Sequence, residues 1–82
     1  MFDLVIFNFE TGDASCIYWQ ELVLVNQDQM DYDEISEAFD HYEGSEDAEY
    51  ADIVADILNK LGWEWKPFSV GSTIQTVWSL WG

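Results

Sequence analysis

The period of the hydrophobic positions changes near residue 30, from strand-like to helix-like. Residues 2–9 and 16–25 are rich in β-branched and aromatic side chains, and a Gly-containing polar cluster at 10–15 separates them. Two such runs joined by a turn predict an antiparallel hairpin. Neither run alternates cleanly, so we expect one face of the resulting sheet to be largely covered.

The middle of the chain predicts two amphipathic helices. The first has apolar residues at spacings of three and four, which form one stripe on a helix surface. Asp31 is its predicted N-cap, with Glu34 placed as in a capping box. The stripe consists of Tyr32, Ile35, Phe39 and Tyr42.

The second helix is predicted to start after Gly44, with Ser45 as its N-cap and Glu46 and Asp47 in its first turn. Lys60 in the last turn and Gly62 just beyond it are typical of a helix C-terminus. The buried stripe of this helix is predicted to hold Tyr50, Ile53, Val54, Ile57, Leu58 and Leu61.

The C-terminal segment predicts a second hairpin. Residues 63–70 have strand composition, but Pro67 restricts that strand to a sheet edge or a bulge. Gly71 and Ser72 predict a tight turn into residues 73–81, which alternate in polarity. The element order β-β-α-α-β-β therefore predicts an α+β fold, with two acidic helices on one face of a four-stranded, largely antiparallel sheet. Residues 1–82 are expected to form a single domain, because 82 residues cannot supply two cores.

The composition favours a folded protein of the cytoplasm. Hydrophobic residues make up 49% of the chain and aromatic residues 17%, unlike the composition of disordered acidic tails. The single cysteine excludes an internal disulfide. The start of the chain lacks the positive region of a signal peptide, and no apolar stretch approaches the roughly 20 residues of a membrane span. We expect a cytoplasmic location, in the host cell if a phage encodes the protein.

The charge changes this picture most. The formal charge is −15, with two lysines and no arginine, and residues 28–56 hold twelve of the seventeen acids without one Lys or Arg. Phosphates would be repelled, so direct binding to nucleic acid or to an anionic membrane is not expected. The expected partner is a strongly basic protein.

The acids of both helices fall off the apolar stripes and are predicted to point outward. The first helix, taken as thirteen residues or roughly 20 Å, would carry six acids at about one per 3.3 Å, close to the 3.4 Å phosphate spacing of one B-DNA strand. The second, with five acids from Glu46 to Asp56 over about 24 Å, would be sparser. A merely solvated face is the alternative, but no cations are interleaved. The predicted partner-binding residues are Asp33, Glu34, Glu37, Asp40, Glu43, Glu49, Asp52 and Asp56.

Catalytic and metal-binding patterns are weak. Cys16 opens an apolar strand without a neighbouring cation to activate it, and His41 is predicted to be solvated on a helix surface. EF-hand spacing fails from Asp31, where Ile35 occupies the fifth ligand position, and from Asp40, where Tyr42 occupies the third. We expect no enzymatic activity, no cofactor and no dedicated metal site.

The C-terminal tryptophans have two interpretations. In a domain this small, we expect tryptophans to pack in the core and against the face of the sheet. The tryptophans of this segment are Trp63, Trp65, Trp78 and Trp81. An exposed tryptophan among acids is instead a candidate interface residue, either for the basic partner or for a homodimer.

Small size, extreme acidity and carboxylate-covered helices together resemble the nucleic-acid-mimicking inhibitors of phages and mobile elements. These include anti-CRISPR proteins, anti-restriction proteins and inhibitors of DNA-repair enzymes. The resemblance implies a protein that occupies the positive groove of a nucleic-acid-binding enzyme, such as a nuclease, a CRISPR effector or a restriction enzyme. Two alternatives remain open: an immunity protein or antitoxin against a basic nuclease toxin, and a housekeeping domain of a halophile.

Overall fold

The fold places two helices on one face of a four-stranded sheet. The computed structural model describes residues 1–44 and 48–81, with the side chains of Asp13 and Cys16 left aside. The order β-β-α-α-β-β and the α+β class are confirmed. The elements are β1 (Phe2–Asp13), β2 (Cys16–Asn26), α1 (Tyr32–Asp40), α2 (Tyr50–Leu61), β3 (Trp65–Pro67) and β4 (Ile74–Trp81).

The N-terminal hairpin is longer than the predicted one. β1 and β2 pair antiparallel from Phe2 opposite Asn26 to Glu10 opposite Tyr18, and the register then shifts before the turn. Gly12 lies within this shift with φ 73°, a conformation that costs glycine little. Residues 11–13 of the predicted turn cluster therefore continue β1 through a bulge, and the predicted turn narrows to residues 14–15.

The core lies between the sheet and the helices. Val5, Phe7 and Phe9 alternate along β1 and are all buried within the same cluster. Phe39 of α1 meets the rings of both Phe7 and Phe9 edge-on, with centroids 5.1 Å apart in each pair. Edge-to-face pairs of this kind add about 0.5–1.5 kcal/mol beyond the burial of apolar area.

Three residues that the sequence predicts at the ends of the helices occupy those positions in the structure. The Asp31 side chain accepts a hydrogen bond from the Glu34 backbone N–H at 3.1 Å and caps α1. Gly62 ends α2 in the left-handed region, at φ 75°, and its N–H reaches the Leu58 carbonyl oxygen at 3.1 Å. Lys60 lies in the last turn of α2, as the sequence indicates.

Both helices are shorter than predicted. α1 ends at Asp40, and its last turn holds no basic residue to offset the negative end of the helix dipole. In the described residues α2 begins at Tyr50 with Glu49 as its N-cap, and the predicted cap at Ser45 with Glu46 and Asp47 in the first turn falls on residues that are not described. The apolar stripe itself begins at Tyr50, and burial of that stripe is what stabilises a short helix. Residues 45–47 lie outside the described residues.

The C-terminal strands do not form a hairpin. The strand order is β3-β2-β1-β4, with β3 antiparallel to β2 and β4 parallel to β1. The sheet is therefore mixed, and the prediction of a largely antiparallel sheet is wrong. β3 has only three residues and ends at Pro67, which suits an edge strand, and its paired edge is taken by β2. β4 instead pairs beside the central strand β1, where Leu80 is buried opposite Phe7.

The end of the hairpin extends beyond the helices. Phe9 is the last buried residue among the described side chains of β1, whereas the strand continues to Asp13. The longest dimension of the molecule is 37 Å, close to the roughly 40 Å of a twelve-residue strand. Ile17, Tyr18 and Trp19 are all about half or more exposed on this end.

Candidate partner-binding surface

Four exposed carboxylates of α1 form the acidic row, defined as Asp33, Glu34, Glu37 and Asp40. At about 100° per residue, Asp33, Glu37 and Asp40 fall within about 60° around the helix axis, and Glu34 lies beside them. Ile35 and Phe39 occupy the opposite, buried side of the same helix. The amphipathic pattern thus turns all four acids to solvent.

The acidic row keeps the predicted charge spacing although the helix is shorter. α1 has nine residues, about 13 Å of helix, so its four acids lie at about one per 3.4 Å. This matches the phosphate spacing along one strand of B-DNA, about 3.4 Å. The predicted total of six acids on a thirteen-residue helix is wrong, because Asp31 is the cap and Glu43 follows the end of α1.

No lysine neutralises the acidic row. Lys60 pairs with Asp56 at 3.1 Å, and Lys66 lies 4.5 Å from the centre of the Phe2 ring. Within the acidic row, Asp40 Oδ2 lies 3.9 Å from His41 Nε2, which forms an ion pair only when the histidine is protonated. The prediction that His41 is solvated is confirmed, since 73% of its side chain is exposed.

The acids of α2 are fewer and serve different purposes. Glu49 and Asp52 are exposed, as predicted. Asp56 is half-buried between the helices, where its carboxylate accepts a hydrogen bond from the Tyr42 hydroxyl. Two acids within about 18 Å of helix, with Glu49 as the N-cap, give a charge density well below that of the acidic row.

Tyr42, Asp56 and Lys60 tie the end of α1 to α2. Partial desolvation, followed by the nearby Asp56 carboxylate, raises the pKa of the Tyr42 phenol above its ordinary value of 10.0. The Lys60 ammonium lies 5.8 Å from the Tyr42 ring centre and partly opposes this shift. Asp56 therefore has a structural role in addition to its negative charge, and Glu43 is exposed at the rim of a groove beside this cluster.

Comparison with family models, with curated proteins and with solved structures finds no match. Functional inference for this chain therefore rests on its own residues.

The tryptophans divide between core and surface. Trp63, Trp65 and Trp78 pack against the core, as the packing interpretation predicts. Trp81 is 61% exposed, and its ring meets Tyr18 edge-on at 5.2 Å. These two residues lie on strands that flank β1, so their contact passes over that strand. They thereby cover one end of the face of the sheet that points away from the helices.

Two features of this region are missed by sequence reasoning. Trp19 of β2 is 49% exposed on the helix side of the sheet, beside the first turn of α2. On the opposite face, the buried Asn8 accepts from Gln20 Nε2 at 2.9 Å and donates to Ser79 Oγ at 2.9 Å. The alternation of β2 places Trp19 on the same face as Val23, but periodicity alone does not show where the helix layer ends.

The described residues contain no group of three or more His, Cys, Asp or Glu side chains placed to hold a metal ion. Within the same part of the chain, neither helix has the length and apolar character that a membrane crossing requires.

Proposed function

We propose that this protein is an acidic nucleic-acid mimic that inhibits a nucleic-acid-binding enzyme. It binds the positively charged groove of a nuclease, a CRISPR effector or a restriction enzyme and excludes DNA or RNA from that groove. The acidic row supplies the main charged contact. Glu43, Glu49 and Asp52 extend the negative surface, and Asp56 contributes from a half-buried position.

One observation carries this proposal: the acidic row is exposed at phosphate-like spacing, while both lysines are engaged elsewhere. An acidic helix on an ordinary soluble domain would gain stability from lysines placed one turn after each acid. Instead, Asp33 and Glu37 repel one another at i,i+4. The positive charge of a basic partner would relieve this repulsion, so the surface is more favourable in a complex than in the free protein.

The mechanism is electrostatic competition. Opposite net charges accelerate encounter, and binding then depends on how closely the carboxylates follow the phosphate positions of the enzyme's normal ligand. The affinity is expected to fall as ionic strength rises, because exposed charge pairs are screened beyond about 8 Å at 0.15 M salt. Discrimination between basic proteins must come from shape and from a few anchoring side chains.

The test is capture from host lysate at low salt, followed by elution with duplex DNA. We expect a basic nucleic-acid-binding protein to be retained and DNA to displace it. Glu37→Gln with Asp40→Asn should reduce retention, because the pair removes half of the acidic row. Glu10→Gln with Asp28→Asn removes the same charge from exposed positions outside both helices and is the matched control.

Three results would overturn the proposal. Capture could yield no basic nucleic-acid-binding protein, DNA could fail to compete with the captured protein, or the two double variants could bind equally. A chain that unfolds at low salt and captures no basic protein would instead support the halophile alternative.

A further inference from the structure

A cleft lies between the exposed part of β2 and the start of α2. Its volume is about 360 Å³, and its lining comes from two short segments that are distant in sequence. We call it the hairpin cleft. It is lined by Trp19, Glu21, Ala48, Glu49, Tyr50 and Ala51.

The aromatic part of the hairpin cleft is anchored in the core. Tyr50 stacks on the buried Phe9, with ring centroids 4.5 Å apart and planes inclined by 29°. Tyr50 also stacks on Trp19, at 6.3 Å and 27°. Because the Tyr50 ring lies closer to Phe9, it leaves much of the indole uncovered, and Trp19 is 49% exposed. The result is a fixed aromatic surface open to solvent.

Carboxylates border this aromatic surface. Glu21 Oε1 accepts a hydrogen bond from Trp19 Nε1 at 2.7 Å, which holds the indole in place. A carboxylate has about four acceptor positions, so Glu21 retains capacity for further donors. Glu49 is exposed, and its side chain does not cap α2. The positive end of the α2 dipole, about half a charge, is smaller than the two full charges of these carboxylates.

This chemistry selects a cation with a flat face. An arginine guanidinium stacks on an indole and at the same time directs several N–H donors toward neighbouring carboxylates. A lysine ammonium is a compact, strongly hydrated charge that can satisfy the carboxylates and lie over the ring, but it has no flat face to stack on the indole. An uncharged apolar side chain would leave Glu21 and Glu49 without a counterion.

We propose that the hairpin cleft binds an arginine side chain of the partner, with its guanidinium on Trp19 and its donors toward Glu21 and Glu49. This inference rests on the proposed function, which supplies a basic partner. It adds a specific anchor to the general attraction of the acidic row. The anchor lies on the hairpin and the start of α2, on elements other than the helix that carries the acidic row.

The test uses hexa-arginine and hexa-lysine peptides as probes of the whole protein. Binding is measured by calorimetry, and the tryptophan indole N–H signals are followed by ¹H–¹⁵N NMR. We expect hexa-arginine to bind more tightly than hexa-lysine and to shift the Trp19 indole signal. Trp19→Leu should weaken hexa-arginine binding roughly three- to tenfold, as expected for a cation–π contact of about 0.7–1.4 kcal/mol. The same substitution should weaken hexa-lysine binding less.

Two controls separate this site from bulk charge. Trp81→Leu removes another exposed tryptophan and should leave the preference for arginine intact. Glu21→Gln with Glu49→Gln should weaken hexa-arginine binding more than the charge-matched Glu10→Gln with Asp28→Asn. The glutamine at 21 can still accept from the Trp19 indole, so this pair tests the cleft even if Trp19→Leu fails to fold.

Equal binding of the two peptides, or equal effects of the cleft pair and its charge-matched control, would overturn the arginine site. The proposed function would survive that result if DNA still displaced a captured basic protein. If no captured protein responded to DNA while Trp19 still selected arginine, the proposed function would fail and the cleft would stand as a peptide-binding site.

Discussion

Asp3 shows how one polar residue is accommodated inside this core. It is 3% exposed, and its Oδ2 accepts a hydrogen bond from Trp78 Nε1 at 2.9 Å. Its Oδ1 has no hydrogen-bond partner among the described residues. The stability of the fold depends strongly on this one hydrogen bond, because without it nothing would compensate for removing the carboxylate from water.

Trp78→Phe should therefore be more harmful than the loss of one hydrogen bond suggests. We expect it to lower the free energy of unfolding by about 1–3 kcal/mol or more, measured by urea denaturation. Combining it with Asp3→Leu should recover part of the loss, since replacing both partners by apolar groups removes the unsatisfied carboxylate. A double variant less stable than Trp78→Phe alone would show that Asp3 has other partners.

The raised pKa of the Tyr42 phenol predicts that the protein loses stability at alkaline pH. Desolvation and Asp56 raise the pKa of its phenol, so the folded state holds that proton more tightly than the unfolded state does. The resulting stabilisation is complete below the ordinary pKa of 10.0 and disappears as pH rises through the higher value of the folded protein. Denaturation midpoints at pH 8 and pH 11 should show the advantage of the wild type over Tyr42→Phe shrinking. An unchanged advantage would mean that the phenol does not face Asp56.

At the scale of elements, α1 offers a clean test of its N-cap. Asp31→Ala removes both the cap and a charge, whereas Asp31→Asn removes the charge and keeps an acceptor for the Glu34 N–H. We expect the alanine variant to be less stable than the asparagine variant by about 1 kcal/mol, measured by thermal or urea unfolding. Similar stabilities for the two variants would show that the bond from Glu34 contributes little.

Local signals in the sequence predict the elements well but not their arrangement. The apolar stripes, the Asp31 cap and Gly62 depend on neighbours within a few residues, so they can be read from the chain. α2 begins at Tyr50, where its apolar stripe begins, whereas the predicted cap at Ser45 lies outside the described residues. Pro67 correctly indicates an edge strand.

The position of β4 depends on competition between strands distant in sequence. Gly71 does form a turn, with φ 92°, but the strand that follows pairs with β1 rather than with its neighbour β3. The outcome depends on the unused edge of β1 and on burial of Leu80, and neither is visible in residues 63–81 alone. The hairpin cleft is missed for the same reason, because it joins β2 to α2 across the fold.

At the scale of the whole molecule, stability and charge oppose each other. A core of aromatic and aliphatic side chains holds a chain with a formal charge of −15, and the self-repulsion of that charge weakens the compact state. The repulsion is concentrated rather than spread, since the acidic row crowds four carboxylates onto nine residues. Removing charge from the row should therefore stabilise the fold more than removing it elsewhere.

Glu37→Gln with Asp40→Asn tests this directly. The pair removes three like-charge contacts at i,i+3 or i,i+4, each costing about 0.2–0.5 kcal/mol, and it lightens the negative end of the α1 dipole. We expect the free energy of unfolding to rise by about 0.5–1.5 kcal/mol at 20 mM salt, on the order of the sum of these three contacts. The increase should be smaller at 0.5 M salt, because the screening length there is only a few ångströms. The measurement is urea unfolding at both salt concentrations.

Glu10→Gln with Asp28→Asn is the control, because it removes the same charge from positions outside the row. Its gain should be smaller and should depend less on salt, since each acid has fewer close carboxylate neighbours. Equal increases in the free energy of unfolding would mean that only the net charge matters and that the close spacing of the acids on α1 adds no further repulsion. A larger gain for the row, together with weaker capture of a basic partner, would show that the carboxylates which most destabilise the free protein are those that bind its partner.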